Sequence, residues 1–96
     1  MDIQIDAIGN IDGEALSQAI CEFLGVFCNV PQMIDSDSWE IAIISDPNES
    51  GAFEEWAVQC YPDSTLGPEE VNRVVEFIKS SLQSLGAADI RVGEIS

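Results

Sequence analysis

Ser38-Trp-Glu-Ile-Ala-Ile-Ile-Ser45, Asp46-Pro-Asn-Glu-Ser-Gly51 and Phe53-Glu-Glu-Trp-Ala-Val-Gln-Cys-Tyr61 follow one another almost without a break, and their reading decides the fold. In the first stretch Trp39, Ile41 and Ile43 recur at period two, the spacing of side chains on one side of a strand. Ala42 and Ile44 make its other side apolar too, so the register stays open here. The middle stretch has five turn-favouring residues in six, a loop too short for a parallel crossover and suited to a hairpin. In the third, Trp56, Val58 and Cys60 share one side and Glu55, Ala57, Gln59 and Tyr61 the other, until Pro62-Asp63-Ser64 ends the strand. An antiparallel pair is therefore expected at the centre of the chain.

Working outward, residues 2–8 alternate, with Ile3, Ile5 and Ala7 against Asp2, Gln4 and Asp6, which predicts a first strand. Gly9-Asn10 breaks it, and Asp12 is placed to cap a helix whose apolar stripe (Ala15, Leu16, Ala19, Ile20, Phe23, Leu24) runs to about Gly25. Residues 26–37 carry no clean period. Val26, Phe27, Val30, Met33 and Ile34 are expected to tuck beneath the helix before a turn at Asp35-Ser36-Asp37. After the central hairpin, Gly67-Pro68-Glu69-Glu70 opens a second helix, with proline at its first position and two carboxylates at the positive end of its dipole. Val71, Val74, Val75, Ile78, Leu82 and Leu85 form its stripe, and Gly86 supplies a left-handed cap. Residues 89–95 alternate again, with Ile90 and Val92 as core positions.

The expected architecture is one α+β domain over residues 1–96, in the order β-α-β-β-α-β. That order resembles the ferredoxin-like arrangement, a four-stranded antiparallel sheet with both helices on one face. The resemblance implies that the first and third strands are central and that the other sheet face is left open. By strand parity this face carries Asp2, Gln4, Asp6, Glu40, Ala42, Ile44, Glu55, Ala57, Gln59 and Tyr61, acids around a small apolar patch, as in an interface with an apolar centre and a polar rim.

The charge is lopsided. Eighteen Asp and Glu stand against three Lys and Arg, with no His, for a net charge of −15. Every basic residue (Arg73, Lys79, Arg91) lies in the last quarter of the chain, balanced there by Glu76, Asp89 and Glu94, so the first 72 residues hold the whole net charge. A magnitude of about 2–8 is enough for solubility in a small domain. This balance argues strongly against direct binding to nucleic acid or an anionic membrane. A composition that is 46% hydrophobic also excludes a disordered acidic tail.

No catalytic pattern is present. Without His, neither a Cys–His nor a Ser–His–Asp nucleophile can be assembled, and His-ligated zinc is impossible. Cys21, Cys28 and Cys60 form no C-x-x-C pair and read as structural thiols. Asp35-Ser-Asp-Ser-Trp-Glu40 has carboxylates at calcium-like spacing, but it lacks the glycine and distal glutamate of an EF-hand loop. Phosphate-binding glycine loops are missing. No cofactor, no metal and no enzymatic activity are expected. With neither a basic, apolar leader after Met1 nor a long apolar run, a cytoplasmic location is expected, in the host cell if the chain is phage-encoded.

In size, acidity and lack of catalytic motifs the chain is similar to small phage-encoded DNA mimics, including anti-CRISPR and antirestriction proteins, and to nuclease-neutralising immunity proteins. The resemblance implies a non-enzymatic inhibitor or antidote that binds a basic, nucleic-acid-handling protein by charge complementarity. Asp35, Asp37, Asp46, Glu49, Glu54 and Glu55 are the acids expected to reach a cleft from loops and strand ends, with Asp2, Asp6, Glu40 and Tyr61 on the open face. The alternative is a regulatory or protein-interaction module whose acidity serves only solubility. A homodimer through the open face is a further option, opposed by the like charges it would bring together.

Self-repulsion on this scale has a measurable effect. Raising salt from about 0.01 M to 0.15 M shortens the screening length from about 30 Å to about 8 Å, so the melting temperature should rise across this range in a thermal-shift titration. A flat or falling curve would show that the carboxylates are already neutralised within the fold.

Overall fold

The computed structural model describes residues 2–27, 33–47 and 54–95. It is α+β, with β1 (Ile3–Ile8), α1 (Gly13–Leu24), β2 (Met33–Asp35), β3 (Trp39–Pro47), β4 (Glu54–Pro62), α2 (Pro68–Ser84) and β5 (Ala88–Glu94). All five strands join one antiparallel sheet in the order β2-β3-β4-β1-β5. The central hairpin is present, with Pro47 opposite Glu54; the loop residues 48–53 lie outside the described residues.

The expected count of four strands is corrected to five among the described residues. Met33–Asp35 pairs with β3, placing Ile34 opposite Ile41. The turn between them is closed by Ser36, whose N–H donates to the Trp39 carbonyl at 2.8 Å and whose hydroxyl oxygen accepts from the Trp39 N–H at 3.0 Å. Three residues are too few for a period to show in sequence. Of the side chains expected beneath α1, Ile34 is buried and Val26 half-buried, whereas Phe27 is 85% exposed and Met33, on the other side of the sheet from Ile34, is exposed too. Cys28 and Val30 lie outside the described residues.

The helix boundaries follow their capping chemistry. One Asp12 carboxylate oxygen accepts from the Glu14 and Ala15 N–H groups at 3.0 and 3.3 Å, satisfying two of the donors that a helix start leaves free. At the other end Gly25 sits at φ 73°, and its N–H donates to Glu22. In α2 the C-cap falls on Leu85, in right-handed geometry, and Gly86 at φ 100° follows it. Residues of both helices and one face of the sheet form a single core, in which Ile5, Leu16, Ile20, Val58, Cys60, Ile78 and Leu82 are essentially inaccessible. This resolves the ambiguous strand: Trp39, Ile41 and Ile43 point inward. At the rim of the core Phe23 of α1 stacks on Phe77 of α2, with centroids 4.1 Å apart.

β5 departs from its simple reading. Between Asp6/Arg91 and Ile8/Ala88 the register shifts, so that Asp89 and Ile90 oppose Ala7 alone. Asp89 takes the left-handed conformation, φ 51°, as a bulge residue can and as Asp tolerates better than most. Ile90 and Val92 do share the helix side, but the strand is an edge: Ile90 is half-buried and Val92 is 45% exposed. No helix among the described residues is long and apolar enough to cross a membrane.

Trp56 holds β1, β4 and the start of α1 together. Its indole N–H donates to the Gly9 carbonyl at 2.8 Å, and the far edge of its ring lies where a side chain at Gly13 would be, 2.9 Å from an ideal Cβ. Replacing Trp56 with Phe should leave the buried Gly9 carbonyl without its partner and open a gap, destabilising by about 1–3 kcal/mol. Gly13→Ala should cost about 1–3 kcal/mol by overpacking the ring. Urea denaturation of the two variants measures both, and a Gly13→Ala chain as stable as the wild type would refute the close contact.

Candidate functional site: the open face of the sheet

Strand pairing sets the layout of the face turned away from the helices. Directly opposed residues share a face, and four rows run across it. Asp6 lies between Arg91 and Ala57, with Ile44 beyond; Gln4 lies between Gly93 and Gln59, followed by Ala42 and Met33. The third row is Tyr61, Glu40 and Asp35, and the fourth Ile8, Glu55 and Asp46. Ala57, Ala42, Ile44 and Met33 thus make an apolar stripe between two acidic rows.

A directional chain of hydrogen bonds crosses β4 and β1. The Tyr61 hydroxyl donates to Gln59 Oε1 at 3.0 Å, Gln59 Nε2 donates to Gln4 Oε1 at 3.3 Å, and Gln4 Nε2 donates to Asp6 Oδ1 at 2.8 Å. Each amide is used as both acceptor and donor, so the four side chains orient one another. Gln4 and Gln59 were legible in sequence as face residues, but period two does not show that they connect Tyr61 to Asp6.

Two rows contain directly opposed carboxylates: Asp35 with Glu40, and Asp46 with Glu55. Like charges in this position destabilise a sheet. All four residues are exposed, and among the described residues no cation pairs with them. Among the described residues the ion pair within 4 Å is Lys79–Glu76, at 3.4 Å on α2, and Arg91, the cation of this face, stands opposite Asp6 without closing to that distance.

The remaining acids separate. Asp2 is half-buried at the start of β1, where its carbonyl accepts from Ile95. Asp37 is exposed in the β2–β3 turn. Glu54 falls on the helix side of β4, not on the open face, because it has the parity of Trp56; its backbone carbonyl accepts from Gly9. Glu49 lies outside the described residues. The structure thus brings Asp6, Asp35, Glu40, Asp46, Glu55 and Tyr61 onto one face and leaves Glu54 off it. Asp63 lies in the loop leading to α2; the Thr65 hydroxyl donates to its carboxylate and holds its pKa below the ordinary value.

No three His, Cys, Asp or Glu side chains converge as a metal site among the described residues, and the Asp35–Glu40 segment is a hairpin. Cys21 and Cys60 are buried. Burial pushes the Cys60 thiol up to about 12, so it stays protonated, and unreactive, across the physiological range. Because the folded value lies above the unfolded one, Cys60 leaves stability unchanged below the ordinary thiol range. It lowers stability as pH climbs from about 9 toward 12, where only the unfolded chain ionises. Iodoacetamide at pH 8 should therefore leave Cys60 unmodified in the native protein and label it in urea, as read by peptide mass spectrometry. Prompt native labelling would contradict its burial. The chain matches no family model and no curated protein sequence.

Proposed function

We propose that the chain is a non-enzymatic acidic inhibitor or antidote whose open sheet face docks in the basic cleft of a nucleic-acid-handling protein. The two opposed carboxylate pairs, Asp35/Glu40 and Asp46/Glu55, carry this reading. They cost the isolated fold stability and gain a counter-charge only when a basic surface arrives. The apolar stripe between them supplies the short-range contact, and long-range attraction speeds encounter at low salt.

The charge density fits a nucleic-acid-like surface. Along the 42 Å principal axis a duplex would carry about 25 phosphates and a single strand about 12. A net charge of −15 falls between them and nearer the single strand. We take the sheet as a ferredoxin-like β1-α1-β3-β4-α2-β5 unit with β2 added at one edge, where Asp35 extends the acidic row. A regulatory module acidic only for solubility would not need its acids directly opposed.

The test is a tagged pull-down from source or host lysate, washed at stepped salt, with eluted proteins identified by mass spectrometry. A nucleic-acid-processing protein that elutes in moderate salt and loses its nucleic acid to this chain is the expected result. A neutral or acidic partner retained through high salt would sink it. Asp46→Asn and Glu40→Gln should each raise the low-salt melting temperature, by about 1–4 °C, while weakening the captured complex. Variants that gain stability and keep full affinity would show that the pairs play no part in recognition.

A further inference from the structure

The sheet has two edges of different character. β2 offers only three residues. β5 offers seven, exposed along nearly its whole length, with no proline to block pairing; its charged side chains are Asp89 at the bulge, Arg91 on the open face and Glu94 on the helix side. Its bulge protects only the end near Asp89. The Ile95 N–H donates inward to the Asp2 carbonyl at 2.9 Å. In an antiparallel ladder the inward and outward backbone groups alternate, so those of Val92 and Glu94 face away from β1, on the side where no strand among the described residues pairs with β5.

Beside this edge, on the helix side, runs a groove of about 580 Å³ between the start of α2 and the sheet. Leu66, Val71, Val75 and Val92 give it an apolar floor, and Asp63 and Glu69 supply its charge; among the described residues no basic side chain lines it. The side chains of Val92 and Glu94 project on this same side, since they oppose Ile5 and Ile3 of the core face. An added strand would therefore point alternate side chains into the groove.

We infer that the β5 edge and this groove form a second docking site, distinct from the open face, for an extended basic-apolar segment of a partner protein that adds as a sixth strand. Main-chain bonds to Val92 and Glu94 supply the pairing, and an apolar side chain opposite Val92 enters the groove. A basic side chain opposite Glu94 meets Glu94, Asp63 and Glu69. Charge complementarity selects this occupant over a second copy of the chain, which would bring −15 against −15.

The experiment is an amide NMR titration of the full chain with the probe acetyl-Lys-Thr-Leu-Thr-Val-amide, and with the same peptide carrying Glu for Lys. Saturable shifts at residues 90–94 and at Leu66 and Val71 are expected, together with slowed hydrogen exchange at the Val92 and Glu94 amides. The Glu peptide should bind about tenfold more weakly or not at all. Val92→Pro removes an outward N–H without touching the β1 ladder and should weaken the Lys probe by about tenfold, the scale of one lost hydrogen bond. Should that variant fail to fold, the double variant Asp63→Asn, Glu69→Gln, confined to exposed positions, should weaken it in the same direction. Shifts confined to Asp6, Glu40 and Glu55, or binding indifferent to these changes, would overturn the edge site while leaving the open-face proposal standing. A concentration-dependent dimer in sedimentation, abolished by Val92→Pro, would overturn it in favour of a second copy.

Discussion

The fold depends on the seating of one indole. Trp56 comes from the middle of the sheet, yet its N–H is bonded to the Gly9 carbonyl and its ring fills the space beside Gly13. The loop between them carries the chain from β1 into α1, and its geometry is set by how closely the backbone approaches the ring. Gly9 is crowded from the other direction as well, with an ideal Cβ 3.2 Å from Ala87, just before β5. Two glycines thus let β1, β4, α1 and the α2–β5 connection converge at one end of the sheet. Both helices pack on one face of the sheet, and the opposite face is left open.

Most of this was legible in sequence where a signal repeats. The three long alternating stretches around residues 3–7, 39–43 and 56–60 became β1, β3 and β4 with the expected faces inward, and both helices begin where Asp12 and Pro68 place them. What was not legible rests on singular contacts. β2 is too short to show a period and exists because Ser36 closes a turn onto Trp39. The bulge at Asp89 depends on a pairing with β1 some eighty residues away in the chain, and the seating of Trp56 on Gly9 and Gly13 is likewise tertiary.

The candidate face was legible by parity, but the opposition of its acids was not. Asp35 and Glu40 lie five positions apart in sequence and read as a turn with calcium-like spacing; the short hairpin turns them into cross-strand neighbours. Glu54 and Glu55 look equivalent as adjacent residues, and strand pleating sends them to opposite sides of the sheet. Parity is a property of the strand and not of composition, so a count of acids cannot separate them.

The hydrogen-bonded series from Tyr61 to Gln59 along β4, across to Gln4 and on to Asp6 along β1 also gives the face a polarity. Every donor in the series points the same way, so one end terminates in a phenolic oxygen with lone pairs to offer and the other in a carboxylate. The ends differ in kind: a neutral acceptor at Tyr61 on β4, and on β1 a carboxylate that stands opposite Arg91. For a partner docked on this face as proposed, the series would favour one of the two ways round, because its ends offer different groups.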